Sequence, residues 1–247
     1  MAITEVPAVL TEEEMLHFRS RGFLGPYSLC SEAEMAELCP AIEEVLETDP
    51  PNGKNRIHNR HLDSRVVYDL STHPEILNRM VALYGADLLL WRTNFFIKYK
   101  GTKAIPWHQD FNYWPLEPPI IVSAWIAVDA STKENGNLQL IPGSHRKIIP
   151  HVKATPDVQF KEMADAGYYD PEQLVDLEMQ PGEFILFNER TLHHSKANFS
   201  DLRRIGLAVR AIPPIVHVLR YDSEDHALPV IHGEDTMGFN RVTQPPL

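Results

Sequence analysis

The first 86 residues carry three patterns typical of a helix start, in which a capping Ser or Thr precedes an acidic residue by three positions. These pairs are Thr11 and Glu14, Ser31 and Glu34, and Thr72 and Glu75. In the second predicted helix, apolar residues recur at three- and four-residue steps, as in a helix that packs one face on a sheet. That stripe consists of Met35, Leu38, Ile42 and Val45. We therefore expect three helices here, the last with Pro74 near its start and Gly85 at its end.

From Leu88 onward the pattern changes to short runs rich in β-branched and aromatic residues, which favour strands. The runs cover residues 88–99, 120–128, 138–141, 182–187 and 204–212. Turn-forming residues separate them, as is typical of a jelly roll or barrel. The mostly β part is expected over 87–215, with an excursion at 146–177 as a candidate lid and a tail at 216–247. No repeat or linker divides the sequence, so one domain, 1–247, is predicted.

Composition narrows the classes of partner. The 247 residues carry a formal net charge of -11, which disfavours nucleic acid, because phosphate backbones are bound by clustered Lys and Arg. Two cysteines, Cys30 and Cys39, are too few for a disulfide scaffold and indicate a reducing compartment, so the cytoplasm is predicted. Residues 1–6 lack the pattern of a secretion signal, and no apolar run approaches the roughly 18 residues of a membrane span. We expect neither secretion nor a membrane partner.

The strongest chemical signal is His108 and Asp110, two residues apart after a strand-like run. Alternate residues of an extended chain project from the same face, so this imidazole and carboxylate can bind one metal together. A second histidine would complete the two-histidine, one-carboxylate set that holds iron(II) with open coordination positions. His193 and His194 are the candidates, and alternation alone does not choose between them.

Six segments in order then carry a family resemblance. They are Arg21-Gly22-Phe23, Trp107-His108-Gln109-Asp110, Trp125-Ile126-Ala127-Val128-Asp129, Gly136-Asn137-Leu138, Ile141-Pro142-Gly143-Ser144-His145, and Leu192-His193-His194-Ser195 followed by Arg204. Together they resemble the phytanoyl-CoA dioxygenase-like family of iron(II)- and 2-oxoglutarate-dependent oxygenases. The resemblance implies a double-stranded β-helix of the jelly-roll type, with the N-terminal helices packed outside. It also implies three iron ligands, His108, Asp110 and His193, because the family's distal histidine lies two residues before a serine and eleven before an arginine.

The resemblance further assigns residues to the cosubstrate, 2-oxoglutarate. Arg204 is expected to bind its far carboxylate, since a guanidinium forms a planar, bidentate fork, and Ser195 is expected to assist. Trp125 is expected to line the cosubstrate pocket, and Asn94 or Lys98 to contact the near end of 2-oxoglutarate. His194 is then expected to be a hydrogen-bonded pocket residue.

Candidate substrate-binding residues lie beside the ligand motif and before the third predicted helix. Gln109, Asn112 and Trp114 are predicted to line the substrate pocket. For the polar cluster containing Arg56 and His58, a solvated loop is the favoured interpretation, with recognition of an anionic substrate as the alternative. The expected substrate is a small metabolite or biosynthetic intermediate, and the expected assembly is a monomer or homodimer.

The predicted activity is hydroxylation of an unactivated C–H bond, with O2 consumed and succinate and CO2 released. Desaturation, cyclisation or epimerisation at the same centre stays open, because the outcome depends on how the substrate is placed. Halogenation is disfavoured because Asp110 retains the carboxylate that related halogenating enzymes replace. A metal-binding jelly roll without turnover is disfavoured by Arg204, and a zinc hydrolase by the absence of a recognisable zinc motif around Glu183 or Glu189.

Overall fold

Helices occupy much of the first third of the chain, in a computed structural model that describes residues 9–50 and 55–247. Its α-helices are α1 (Glu12–Arg21), α2 (Glu32–Glu47), α3 (Arg65–Ser71) and α4 (Pro74–Tyr84). Complete capping boxes at Thr11 and Ser31 confirm two of the predicted helix starts. The prediction that residues 1–6 carry no secretion signal lies outside the described residues.

One expectation for this region is wrong. The pattern at Thr72 is not a helix start, because the Thr72 hydroxyl donates to the Tyr68 carbonyl at the end of α3 and His73 caps α4 instead. The region also contains a strand that was not predicted from the sequence. A strand, β1 (Phe23–Ser28), follows α1 and pairs with the edge of the larger sheet. Its Gly25-Pro26 interruption, where the register shifts, concealed it in the sequence and is tolerated because an edge strand leaves one side unpaired.

The remaining strands follow from Leu88 onward. They are β2 (Leu88–Lys98), β3 (Ile105–His108), β4 (Leu116–Glu117), β5 (Val122–Ala127), β6 (Leu138–Leu140), β7 (His151–Lys153), β8 (Glu162–Ala164), β9 (Val175–Leu177), β10 (Glu183–Asn188), β11 (His193–Ser195), β12 (Arg204–Ile212), β13 (His217–Val218), β14 (Leu228–His232) and β15 (Val242–Thr243). All five predicted strand runs contain a strand, with boundaries moved by a few residues at most.

Two facing sheets form the jelly roll and confirm the predicted fold class. The larger sheet has the order β1-β10-β5-β12-β2-β14-β15, and the smaller sheet has the order β3-β11-β6-β9. Apolar side chains from both sheets, including Trp125, Phe187 and Leu140, fill the space between them. The opposite face of the larger sheet packs on the helices through Met35 and Ile42 of α2, as the predicted apolar stripe requires.

The predicted excursion and tail both contain strands. The excursion includes a hairpin of β7 and β8, and its β9 joins the smaller sheet. In the tail, β14 extends the larger sheet beyond β2. No helix in the described ranges is long and apolar enough to cross a membrane.

Candidate active site

His108 and His193 are direct partners in the pairing of β3 with β11. Neighbouring strands place opposed residues on the same face of a sheet, so the two imidazoles lie side by side with ring centroids 4.1 Å apart. Asp110 follows at the start of a short 3-10 helix, and its Oδ1 lies 3.5 Å from His108 Nε2 and 3.9 Å from His193 Nε2. All three side chains are buried. Their ligand atoms lie within 4.8 Å of one another, as one shared metal ion requires.

Backbone hydrogen bonds orient both imidazoles. His108 Nδ1 lies 2.8 Å from the Pro106 carbonyl oxygen, and His193 Nδ1 lies 2.8 Å from the Thr191 carbonyl oxygen. Each Nδ1 therefore carries the proton and donates it to the carbonyl, which leaves the Nε2 lone pair directed at the cluster. Burial, together with the neighbouring His108, lowers the pKa of His193 to about 3. The imidazole is thus neutral at physiological pH, the form that binds metal.

Gln109 points away from the two ligands beside it. Its backbone is extended, so the alternation that places His108 and Asp110 on one face holds although β3 has ended. The Gln109 amide donates to the carbonyls of Lys147 and Arg190 and accepts from the Ile149 N–H. The structure therefore places it as a backbone anchor for the ligand loop and not in a pocket, contrary to its predicted role in substrate binding.

Arg210 holds the other oxygen of Asp110. Its Nη2 lies 3.3 Å from Asp110 Oδ2, and both side chains are buried. Burial alone would raise the pKa of Asp110, but the charge of Arg210 and the adjacent histidines outweigh it and lower that pKa well below the ordinary value. Asp110 is therefore ionised and oriented before any metal binds.

A small cavity beside the cluster brings together Trp125, Ser195 and Arg204, three of the predicted cosubstrate residues. Ser195 Oγ and Arg204 Nε are buried and have no hydrogen-bond partner among the residues described. Arg204 is held by a 2.5 Å bond from Nη1 to the Gly136 carbonyl, and its guanidinium lies 5.3 Å from the centre of the Trp125 ring. Gly206 is required opposite, because a Cβ there would overlap the Trp125 indole.

Lys98 and Asn94 contact other protein groups near this cavity. The Lys98 ammonium donates to the carbonyls of Ser195 and Lys196, so it joins β2 to the end of β11. Burial and the charge of Arg204 lower the pKa of Lys98 to about 7. Asn94 hydrogen-bonds Arg92, and its Nδ2 lies 3.2 Å from His58 Nε2. Both predicted residues line the larger cavity described below.

His194 faces away from His193, as adjacent residues of a strand do. Its ring stacks on Trp107 with centroids 4.1 Å apart and hydrogen-bonds the Gln139 side chain. His194 also borders the small cavity, which matches its predicted place as a hydrogen-bonded pocket residue.

A larger cavity of about 690 Å³ opens from Asp110. Trp114 and His58 line it, which is the position expected for Trp114 and the one that the alternative interpretation gave for His58. Asn112 and Arg56 do not lie in its lining. Asn112 is exposed and bonds Glu162, while Arg56 is exposed and pairs with Asp49 at 2.6 Å, so a solvated loop is the correct description of Arg56.

Sequence reasoning missed several residues of this cavity, among them Arg92, Phe160 and Arg210. The alternation of side chains along β12 could have revealed Arg210. Arg210 lies six residues after Arg204, and residues an even number of positions apart on a strand share one face. Phe160 comes from the predicted excursion and packs edge-to-face on His108 at 4.9 Å. No local pattern reveals that contact, since it depends on where the excursion folds back.

Comparisons with known proteins agree with this geometry. A family model described as Phytanoyl-CoA dioxygenase (PhyH) matches residues 18–206. An ectoine dioxygenase of Bordetella parapertussis is 26% identical over 228 residues, which cover 80% of this chain and 74% of that relative.

Solved structures show the same fold. The apo form of the non-heme monooxygenase ThoJ has a TM-score of 0.80 and 25% identity, with 94% of this chain and 88% of that chain covered. CytC3 with Fe(II) and alpha-ketoglutarate has a TM-score of 0.74 and 25% identity, with 98% and 96% covered. Alpha-ketoglutarate is 2-oxoglutarate, so this similar protein binds the metal and cosubstrate considered above.

Proposed function

This chain belongs to the phytanoyl-CoA dioxygenase (PhyH) family of iron(II)- and 2-oxoglutarate-dependent enzymes, and from that premise we propose that it hydroxylates a C–H bond of a small metabolite or biosynthetic intermediate. The observation that carries the proposal is the convergence of His108, Asp110 and His193 beside a buried Arg204 and Ser195. The first set suits a metal ion, and the second suits a carboxylate.

The donor set fits iron(II). Two neutral imidazoles and one carboxylate leave the ion with a net positive charge and with open coordination positions. In this proposal His108 and His193 bind the metal through Nε2, while Asp110 binds through Oδ1 and keeps Oδ2 on Arg210. Arg210 is then a positioning residue that fixes which carboxylate oxygen faces the metal.

The small cavity fits the far carboxylate of 2-oxoglutarate. Arg204 Nε and the Ser195 hydroxyl, both buried without partners in the described chain, would each donate to it, and Trp125 would cover one side. Lys98 faces Arg204 across the pairing of β2 with β12 and would add positive charge there. Asn94 lies farther along β2 and is better suited to the substrate side, where it borders the larger cavity.

With iron(II) and 2-oxoglutarate bound, O2 oxidises 2-oxoglutarate to succinate and CO2, one oxygen atom enters succinate, and the other enters the substrate C–H bond as a hydroxyl. The chain's own residues orient the reactants and exclude water. Phe160 and Tyr113 pack on His108 at 4.9 and 5.8 Å and close the site on the side of the excursion. The larger cavity would hold the substrate beside the ligands.

Substitution of the two adjacent histidines tests the ligand assignment. His193→Ala should lose both bound iron and succinate formation, because it removes one of three protein ligands, and Asp110→Ala should do the same. His194→Ala is the matched control and should retain stoichiometric iron, because its ring lies on the other face of β11. The measurements are metal content after anaerobic loading and desalting, and succinate release on exposure to oxygen. Loss of iron in His194→Ala with retention in His193→Ala would contradict the assignment.

A further inference from the structure

The pairing of β2 with β12 places basic residues directly opposite each other at two points. Lys98 faces Arg204 at one point, and Arg92 faces Arg210 at the other. All four side chains border the larger cavity. The two pairs are separated by six residues of extended strand, or about 20 Å. The same arrangement thus occurs twice along one ribbon.

Directly opposed like charges destabilise a sheet, and burial increases the repulsion because the surroundings screen it less. Lys98, Arg204 and Arg210 are each at most 3% exposed. A pair of opposed cations is stable in a buried place when an anion lies between them and offsets their repulsion. The proposed function supplies one for Lys98 and Arg204, the far carboxylate of 2-oxoglutarate.

In the second pair each side-chain nitrogen of Arg92 has a partner, whereas Arg210 keeps nitrogens that have no partner in the described part of the chain. Arg92 contacts Asp222 at 3.3 Å, and it also bonds His58 and Asn94, which are uncharged. Among the described residues, the ion-pair partner of Arg210 is Asp110, and in the proposed site that carboxylate is shared with the metal. Arg210 Nε and Nη1 are buried and unpartnered within residues 9–50 and 55–247. Within these ranges Arg210 therefore keeps two buried, unpartnered nitrogens, and this residue lines both the larger and the small cavity.

The rest of the cavity has the character of a site for an anion with an apolar body. Its lining has five basic residues, Arg92, Lys98, Lys161, Arg204 and Arg210. Its acidic residues are Asp110 and Glu162 alone among those described, although the whole chain has a net charge of -11. Trp114 lies 4.3 Å below the Arg210 guanidinium and fixes its plane. Ile57, Tyr113 and Phe160 supply the apolar wall.

We propose that the substrate carries an oxyanion group, a carboxylate or a phosphorus oxyanion, that binds between Arg92 and Arg210, with its apolar part against Tyr113 and Phe160. This inference rests on the proposed function and narrows the substrate to one chemical class. The anion would hold the substrate on one side of the metal ligands, and the apolar part would place a C–H bond beside them.

Binding of three matched probes tests the proposal. The probes are 3-phenylpropanoate, 2-phenylethylphosphonate and the neutral 3-phenylpropanamide. Titration calorimetry is done without oxygen, on protein loaded with iron(II) and 2-oxoglutarate, after the affinity for 2-oxoglutarate itself has been measured. At least one anion should bind about tenfold or more tightly than the amide, because hydrogen bonds to a charged group are stronger than those to a neutral one. The preferred anion distinguishes carboxylate from phosphorus oxyanion.

Substitutions of single arginines test where the anion binds. Arg92→Gln should weaken the anion by about tenfold and leave the amide and 2-oxoglutarate unchanged, while Arg92→Lys should retain most of the affinity because it keeps the charge. Arg56→Gln is the matched control, since it removes an arginine that is paired with an aspartate outside the cavity.

The outcomes separate this inference from the proposed function. Failure of the wild-type protein to bind 2-oxoglutarate would reject the proposed function. Normal binding of 2-oxoglutarate with equal binding of all three probes, or with none bound, would overturn the anionic substrate alone. Equal losses in Arg92→Gln and Arg56→Gln would overturn the assigned position.

Discussion

At the scale of single residues, spacing predicts much of the candidate site. The separation of His108 from Asp110 is enough to place them on one face, because Gln109 continues the extended backbone. The choice between His193 and His194 depends on pairing with β3, which no local pattern contains. The same limit applies to Gln109, whose bonds to backbone groups of Lys147 and Arg190 come from distant parts of the chain.

Glu189 gives a test at this scale through the pH dependence of stability. Burial raises the pKa of Glu189 to about 7 from the ordinary 4.5, so the folded state holds this carboxyl protonated where the unfolded state ionises it. The contribution of Glu189 to the free energy of unfolding is complete when the pH is below about 4.5, and it is lost as the pH rises through about 7. Glu189→Gln should remove this loss, and between pH 4.5 and 8 it should gain on the order of 3 kcal/mol over the wild type.

Urea denaturation at a series of pH values measures that difference. Other groups titrate alike in both proteins, so the gap between the two curves isolates Glu189. Exposed Glu37 provides the control, and Glu37→Gln should follow the wild-type curve. Parallel curves for Glu189→Gln and the wild type would show that Glu189 is ionised in the folded protein.

At the scale of elements, the sequence predicts a helix or strand well where the hydrogen bonds that define its ends are made between residues close together in the chain. The capping boxes of α1 and α2 involve residues three positions apart, so they are visible in the sequence. The short α3 is not visible, because Ser64 at its start makes no side-chain capping bond. Strand β1 is stabilised by its pairing with β10, which lies far away in the sequence.

Packing of α2 against the larger sheet provides a test of element docking. Ile42→Ala should destabilise the protein by about 2–5 kcal/mol, because it removes buried methyl groups and leaves a cavity between helix and sheet. Glu37→Ala on the exposed face of α2 should change stability by no more than about 0.5 kcal/mol. Denaturant unfolding of both variants measures the difference. An equal effect of the two substitutions would mean that α2 contributes little to the core.

At the scale of the whole molecule, the order of strand-like runs predicts the jelly roll, but its edges come from contacts that are distant in sequence. The addition of β14 to β2 is such a contact. A single domain, a monomer or homodimer, a cytoplasmic location and the absence of nucleic-acid and membrane partners stay predictions. The family and the facing sheets support a small-molecule substrate.

Ligand binding should stabilise the whole molecule. At about 100 times the dissociation constant, a ligand of the folded state adds roughly 2.7 kcal/mol, or about 5–10 °C in Tm for a chain of this length. Iron(II) with 2-oxoglutarate should therefore raise the Tm in anaerobic thermal unfolding, and a chelator should reverse the rise. Arg204→Ala should keep the response to iron and lose most of the response to 2-oxoglutarate. A Tm unaffected by either ligand would contradict the assigned site.

Strand β12 has a consequence for how this enzyme can diversify. Its even positions, including Arg204 and Arg210, face the cavities, while its odd positions, including Leu207 and Val209, face the helices. One stretch of nine residues therefore contains two nearly independent sets of sites. Mutation at the odd positions changes the stability of the folded protein, and mutation at the even positions changes which substrate is bound. During evolution, substitutions on the cavity face of β12 can therefore change the substrate while the packing of the opposite face on the helices is kept.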